Sequence, residues 1–266
     1  MAERDLSIGV FDSGVGGLTV LRALHERLPR EHTVYLGDTA RVPYGTKSAA
    51  VVERYALANA RFLERQNIKL LVIACNTASA ESLPALQRTC RVPVIGVIEP
   101  GAKAAAVKTR GRIAVLGTPG TIASGAYQRA LAAAVPNAEV IALACPLFVP
   151  LAEEGWTDGA VPELVAERYL GTLRGQVDTA VLGCTHYPLL SGVIAATLPG
   201  TTLIDSAHAT VETVAELLAD RSLARTASTT ATRRYFVTDV PATFDRVAAR
   251  FLGVEPESAE QVDILV

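Results

Sequence analysis

The sequence predicts an α/β protein made of two similar parallel-sheet α/β domains, related by pseudo-two-fold symmetry, with an active site between them. Three observations lead there. Short apolar runs alternate with amphipathic stretches along the 266 residues, which is the spacing of strand–helix units. The runs are continuous in Val, Ile and Leu rather than strictly alternating, as strands covered on both faces are. Two phrases also repeat, LVIACNTASA at 71–80 and VLGCTHYP at 181–188. Each puts a cysteine at the end of an apolar run and follows it with small polar residues able to open a helix.

In chain order the expected strands are SIGVFD (7–12), TVYLGD (33–38), KLLVIAC (69–75), PVIGVI (93–98), RIAVLG (112–117), EVIALA (139–144), TAVLGC (179–184), TTLID (201–205) and RRYFVT (233–238). Helical periodicity fills several gaps, most clearly in GLTVLRALHERL (17–28), AAVVERYALANARFLERQ (49–66) and HATVETVAELLADR (208–221). EPGAKAAAVKTRGR (99–112) lies between two runs of strand–helix units and reads as a crossover. The division places residues 1–98 plus 207–266 in a first domain with Cys75, and 99–206 in a second with Cys184.

Composition narrows the function. Half the residues are apolar, enough for a well-buried core, and the formal net charge is −2. No half carries a basic block, which argues against nucleic acid or an anionic membrane surface as partner. The longest apolar runs fall short of the roughly 20 residues of a membrane span. MAERDLSIGVFD moves from polar residues straight into a strand with no apolar signal region, so a cytoplasmic location is expected. Four cysteines are too sparse for a disulfide framework, and no pair has the C-x-x-C spacing of a zinc or redox motif. Cys90 and Cys145 read as buried small hydrophobes.

Cys75 and Cys184 read differently. Ligands in open α/β sheets bind just beyond the C-terminal strand ends. Both cysteines end their strands, and Asn76-Thr77 and Thr185-His186 follow as capping or anion-binding residues. A helix N-terminus favours nearby negative charge, so a thiol there is expected to have its pKa pulled down. Two thiols facing one carbon have a specific use. A thiolate on one side removes a proton and a thiol on the other delivers a different one, which inverts a stereocentre without changing composition.

Other loops add candidates. GVFDSGVGGLTV (9–20) puts Asp12 and Ser13 at a strand end before glycines that allow close approach of a ligand. It is not a nucleotide loop, because Thr19 breaks G-x-G-x-x-G and Asp12 would repel phosphate. Asp12 is a candidate to orient Cys75 or hold a substrate ammonium. His186, two residues past Cys184, is a candidate to tune that thiol. CPLFVPLAEEGW (145–156) offers Glu153 or Glu154 as a functional carboxylate. GDTARVPYGTKS (37–48) is too elaborate for a simple connection, and Tyr44 and Gly45 would bring a hydroxyl and a backbone N–H to an anionic substrate.

GVFDSGVGGLTV, YLGDTARVPYG, ACNTAS, CPLFVPLAEEG and GCTHYPLL together resemble the cofactor-independent aspartate/glutamate racemase family, over about residues 7–210. The resemblance implies interconversion of L- and D-glutamate without cofactor or metal, a supply of D-glutamate for peptidoglycan, and a homodimer. It implies that Cys184 takes the α-proton of L-glutamate and Cys75 that of D-glutamate. Asp12 would assist Cys75, and His186 and Glu153 would assist Cys184; Glu153 is preferred over Glu154 by its distance from Cys184 in the family pattern. Ser13, Tyr44, Gly45, Asn76, Thr77, Thr185, Asp12 and His186 would bind the substrate, with Thr118 or Thr121 as further contributors. The tail after about residue 220 carries no motif and adds nothing to this assignment. An aspartate racemase would use the same thiols on a shorter substrate. A thiol-based redox sensor would instead bring the sulfurs within disulfide reach, with Cα atoms within about 7 Å.

Overall fold

A computed structural model describes residues 2–265. The strands are β1 (Ser7–Asp12), β2 (Thr33–Gly37), β3 (Ile68–Ile73), β4 (Val94–Gly96), β5 (Arg112–Gly117), β6 (Glu139–Ala144), β7 (Thr179–Gly183), β8 (Thr202–Asp205), β9 (Arg233–Val237) and β10 (Glu260–Gln261). The helices are α1 (Leu18–Arg27), α2 (Ala49–Glu64), α3 (Asn76–Thr89), α4 (Ile98–Lys108), α5 (Pro119–Ala123), α6 (Ala126–Ala134), α7 (Phe148–Glu154), α8 (Ala160–Leu170), α9 (Ser191–Thr197), α10 (Ser206–Asp220) and α11 (Pro241–Leu252).

Two all-parallel sheets result. The first has the order β10-β9-β2-β1-β3-β4 and the second β6-β5-β7-β8. Of their inner strands β2, β3 and β7 are buried along their whole length, and β1 and β5 at all but the first residue, as continuous apolar runs require. Each expected strand is present, with ends shifted by no more than a few residues. Most of the stretch at 99–112 belongs to α4, which packs on α6, β7 and β8 of the second sheet and against α10. No described helix is long and apolar enough to cross a membrane.

Parallel strands align their C-terminal ends, and this positions the chemistry. In the first sheet Asp12 pairs with Gly37 and Phe11 with Ile73; in the second Gly117 pairs with Gly183. The loops that leave Asp12, Gly37, Ile73, Gly117 and Gly183 therefore emerge along two sheet edges. The opposite end of the first sheet is tied by a buried ion pair. Lys69 Nζ meets Glu31 Oε2 at 2.5 Å and donates to the carbonyls of Arg4 and Leu223 at 2.7 and 2.8 Å. All three of its protons are thus used.

Candidate active site

The β1–α1 loop is shaped by its glycines. Asp12 is buried; its Oδ2 accepts the Gly14 N–H at 2.9 Å and its Oδ1 has no partner. Tyr35 donates its hydroxyl to the Gly14 carbonyl at 2.8 Å and fixes the bend. A Cβ at Gly17 would lie 2.5 Å from the Asp12 Cβ, and one at Gly16 would lie 2.5 Å from His186 Nδ1. Only glycine lets this loop of the first sheet press against residues carried by the second. Thr19 completes the contact by donating to the Thr185 carbonyl at 3.1 Å. Burial raises the pKa of Asp12, opposed by the charge of His186 and by N–H groups of Gly14, Gly17 and Ser13.

Cys75 lies two residues past the end of β3 and is itself the N-cap of α3. Its Sγ accepts the Ala78 N–H at 3.4 Å and sits 3.8 Å from Ser13 Oγ. The expected lowering of its pKa does not hold. Burial pushes the thiol up to about 12, the charge of Asp12 adds to this, and the Ala78 N–H and the Ser13 hydroxyl offset only part. A helix N-terminus helps a thiolate only where water or a cation also reaches it, and here the sulfur is dry and has an acid for a neighbour.

Cys184 follows β7 directly and has a different neighbour. Its Sγ is 3.8 Å from His186 Nδ1, and His186 Nε2 is 3.0 Å from Glu153 Oε1. Thr185 Oγ1 lies 3.4 Å from the same Nδ1. Burial alone would lower the His186 pKa, but hydrogen bonds to Cys184 and Glu153, and their charges, push it up to about 10. The ring therefore favours its protonated form, which can donate from Nδ1 toward the Cys184 sulfur and from Nε2 to the Glu153 carboxylate. Of the two adjacent acids on α7, Glu153 is the one that meets His186.

Side chains from both sheets meet across the site. Thr77 Oγ1 is 2.9 Å from Thr118 Oγ1 and 3.1 Å from Thr121 Oγ1, and those two are 3.0 Å apart. Tyr127 donates to Asn76 Oδ1 at 2.7 Å, while the buried Asn76 Nδ2 has no partner. Gly45 passes so close to Thr118 that a Cβ would sit 2.8 Å from the threonine Cβ. The Tyr44 hydroxyl donates to Asp38 and accepts from Asn59 Nδ2 at 3.0 Å. The hydroxyl thus ties its loop to α2.

The remaining cysteines stand apart. All four thiols are free; Cys145 is buried as expected, whereas Cys90 is only partly buried. Sequence reasoning missed the C-terminal helix. Phe251 of α11 meets the His186 ring with centroids 5.1 Å apart at 78°, and Arg250 donates to the Glu153 carbonyl. Neither residue stood out, because an aromatic and a basic residue at the end of an amphipathic helix read as core and solvent. A cleft of about 240 Å³ bordered by Gly14, Glu153 and Phe244 opens beside the site. A larger one of about 510 Å³, between α3, α4 and α6, holds none of the site residues.

A family model described as Asp/Glu/hydantoin racemase matches residues 8–214. A glutamate racemase of Geobacter metallireducens is 57% identical, over 97% of this chain and 97% of its own. One of Aquifex aeolicus is 46% identical, over 98% and 100%. Glutamate racemase from Francisella tularensis, solved in complex with D-glutamate, superposes with a TM-score of 0.92 at 38% identity, covering 98% of both chains. The enzyme from Thermus thermophilus, in complex with β-chloro-D-alanine, gives 0.90 at 45%, again over 98% of both. An aspartate racemase of Picrophilus torridus shares the fold at 18% identity and a TM-score of 0.56. The chain belongs to the Asp/Glu/hydantoin racemase family and is an amino-acid racemase, an isomerase.

Proposed function

We propose that this family member interconverts L- and D-glutamate by proton transfer between two thiols, one on each side of the α-carbon. In the L-to-D direction the Cys184 thiolate takes the α-proton: the C–H bond breaks, an S–H bond forms, and the electron pair passes into the α-carboxylate. Cys75 then gives its S–H proton to the opposite face and is left as thiolate. The reverse reaction exchanges the roles. One observation carries the reading. Cys75 follows β3 of the first sheet and lies 3.8 Å from Ser13 Oγ, Cys184 follows β7 of the second and lies 3.8 Å from His186 Nδ1, and the loops carrying them meet where Thr19 donates to the Thr185 carbonyl. Two thiols brought to one site from separate sheets, each with its own proton-handling neighbour, are what a two-base inversion needs.

Two orphaned atoms support an amino acid as substrate. Asp12 Oδ1 is a buried acceptor without a donor, suited to an ammonium, and Asn76 Nδ2 is a buried donor without an acceptor, suited to a carboxylate. Hydroxyls of Ser13, Thr77, Thr118, Thr121 and Thr185 and the backbone at Gly45 supply further donors. Fixed donors on the α-carboxylate stabilise the carbanion, and closure of the two sheets over the substrate strengthens them by excluding water. The scheme calls on no cofactor. The family resemblance supports a cytoplasmic homodimer that supplies D-glutamate for peptidoglycan; sedimentation of the purified protein tests the dimer.

Purified protein incubated with L-glutamate and no added cofactor is expected to produce D-glutamate up to an equal mixture, followed by circular dichroism. Absence of D-glutamate overturns the proposal. Aspartate is one methylene shorter and is expected to react with a kcat/KM lower by roughly 10–200-fold. Equal turnover of the two amino acids would move the assignment to a broader racemase.

The pH dependence follows from His186, which Cys184, Glu153 and Asp12 all face. Its pKa in the folded protein lies above the ordinary 6.5, so the charged network adds stability fully below about 6.5 and loses it as pH rises through about 10. The same proton serves catalysis. The kcat/KM is expected to hold through neutral pH and fall above about 10, where the imidazolium deprotonates. Because enantiomers are equally stable, kcat/KM is identical in both directions and one profile suffices. His186→Asn is expected to lose that limb and about 10²-fold in rate. An unchanged profile in the variant contradicts the role.

A further inference from the structure

Helix α11 ends against the Cys184 side of the site. Arg250 reaches the C-terminal end of α7 and donates to the backbone carbonyl of Glu153. Gly155 makes room for it. This residue closes α7 in a left-handed conformation with φ 77°, and a Cβ there would lie 2.6 Å from Arg250 Cζ. A cation on the last carbonyls of a helix satisfies acceptors that the helix cannot satisfy itself. The next residue, Phe251, is fully buried and packs on the His186 ring. Two consecutive residues of one helix thus touch both partners of the His186–Glu153 hydrogen bond.

That bond needs outside support. The His186 side chain is 8% exposed, but that of Glu153 is 46% exposed. A carboxylate so open to water is held only weakly by its partner and is free to change rotamer. Fixing the helix end that carries Glu153 limits where the carboxylate can go. The imidazole, for its part, is bounded by the β1–α1 loop at Gly16 as well as by Phe251. Without the phenyl ring it could tilt away from the Cys184 sulfur, which it meets only at the long distance of 3.8 Å.

We propose that Arg250 and Phe251 are positioning residues for racemisation. They keep Glu153 and His186 aligned on Cys184, and so set the rate of proton transfer at that sulfur and not at Cys75. The inference rests on the two-thiol reading given above. It gives the C-terminal segment a part in the reaction although it carries no motif.

The test is the primary deuterium isotope effect on kcat/KM, measured with each enantiomer of glutamate deuterated at the α-carbon. Arg250→Ala, Arg250→Lys and Phe251→Leu are compared with the parent, and His186→Asn serves as reference. Arg250 is exposed and leucine still fills the space of Phe251 in part, so folding is expected to be retained, which melting curves check. Arg250→Ala and Phe251→Leu are expected to lower kcat/KM by roughly 10–100-fold. Slower transfer at Cys184 makes that step more rate-limiting. The isotope effect therefore rises for the enantiomer that gives its proton to Cys184 and falls for the other, in the same sense as in His186→Asn. Arg250→Lys is expected to restore most of the loss. If the parent is active and the two isotope effects stay constant or move together, the positioning role is overturned alone. A parent that racemises neither enantiomer overturns the two-thiol reading, and this inference with it.

Discussion

Replacing either Cys75 or Cys184 by alanine is expected to lower glutamate racemisation by about 10³-fold or more, in both directions. Each thiol acts as base in one direction and acid in the other, so neither direction survives the loss of one sulfur. The two substitutions differ in their structural cost. Cys75 caps α3 through the Ala78 N–H, and alanine there also removes the cap; this is expected to cost about 1 kcal/mol, well within what a folded domain of this size tolerates. Cys184 caps nothing comparable but leaves the His186 imidazolium without its sulfur partner. Serine at either position keeps size and hydrogen bonding while losing acidity, and is expected to be nearly as inactive. Rates by circular dichroism, with far-ultraviolet spectra to confirm folding, check both. Turnover within tenfold of the parent in either alanine variant would show that one sulfur suffices.

The second large effect is on stability. Lys69→Met is expected to destabilise the protein by about 3–5 kcal/mol, because the substitution leaves Glu31 charged and buried with one donor, the Arg225 N–H at 2.8 Å. Lys69 also joins three chain segments through Glu31 and the carbonyls of Arg4 and Leu223. The melting temperature is expected to fall by roughly 10 °C. The double variant Lys69→Met/Glu31→Leu is expected to recover much of this, since an apolar pair of similar volume avoids the cost of desolvating two charges. The pair lies at the end of the first sheet remote from Cys75, so specific activity at low temperature should stay near the parent's. A single variant that melts within about 2 °C of the parent would mean that Glu31 finds another partner or takes up a proton.

How much of this was legible in the sequence depends on the kind of signal. The strands were legible, because β-rich apolar runs in a doubly covered sheet leave an unbroken mark; SIGVFD, RIAVLG and EVIALA match β1, β5 and β6 residue for residue. The two-residue β10 was not, since Glu260 and Gln261 pair through backbone alone. Cys75 and Cys184 were legible as a pair because each follows a strand, though both lie just past the last paired residue. The electrostatics at Cys75 were read with the wrong sign. Helix position is visible in a sequence, whereas burial beside Asp12 is a property of the assembled fold. The partners of the Tyr44 hydroxyl were not legible for a related reason, since its contact with Asp38 is set by how the loop folds back. Arg250 and Phe251 left no mark, because their contacts with Glu153 and His186 span 97 and 65 positions of chain.

The central claim is that separate thiols serve the two faces of the α-carbon. It is tested most directly by racemising unlabelled L-glutamate in deuterium oxide and analysing both enantiomers at low conversion. D-glutamate is expected to carry deuterium at the α-carbon in essentially every molecule, while recovered L-glutamate stays protiated. D-glutamate that retains the original proton, or label entering both enantiomers at equal rates, would mean that a single base serves both faces.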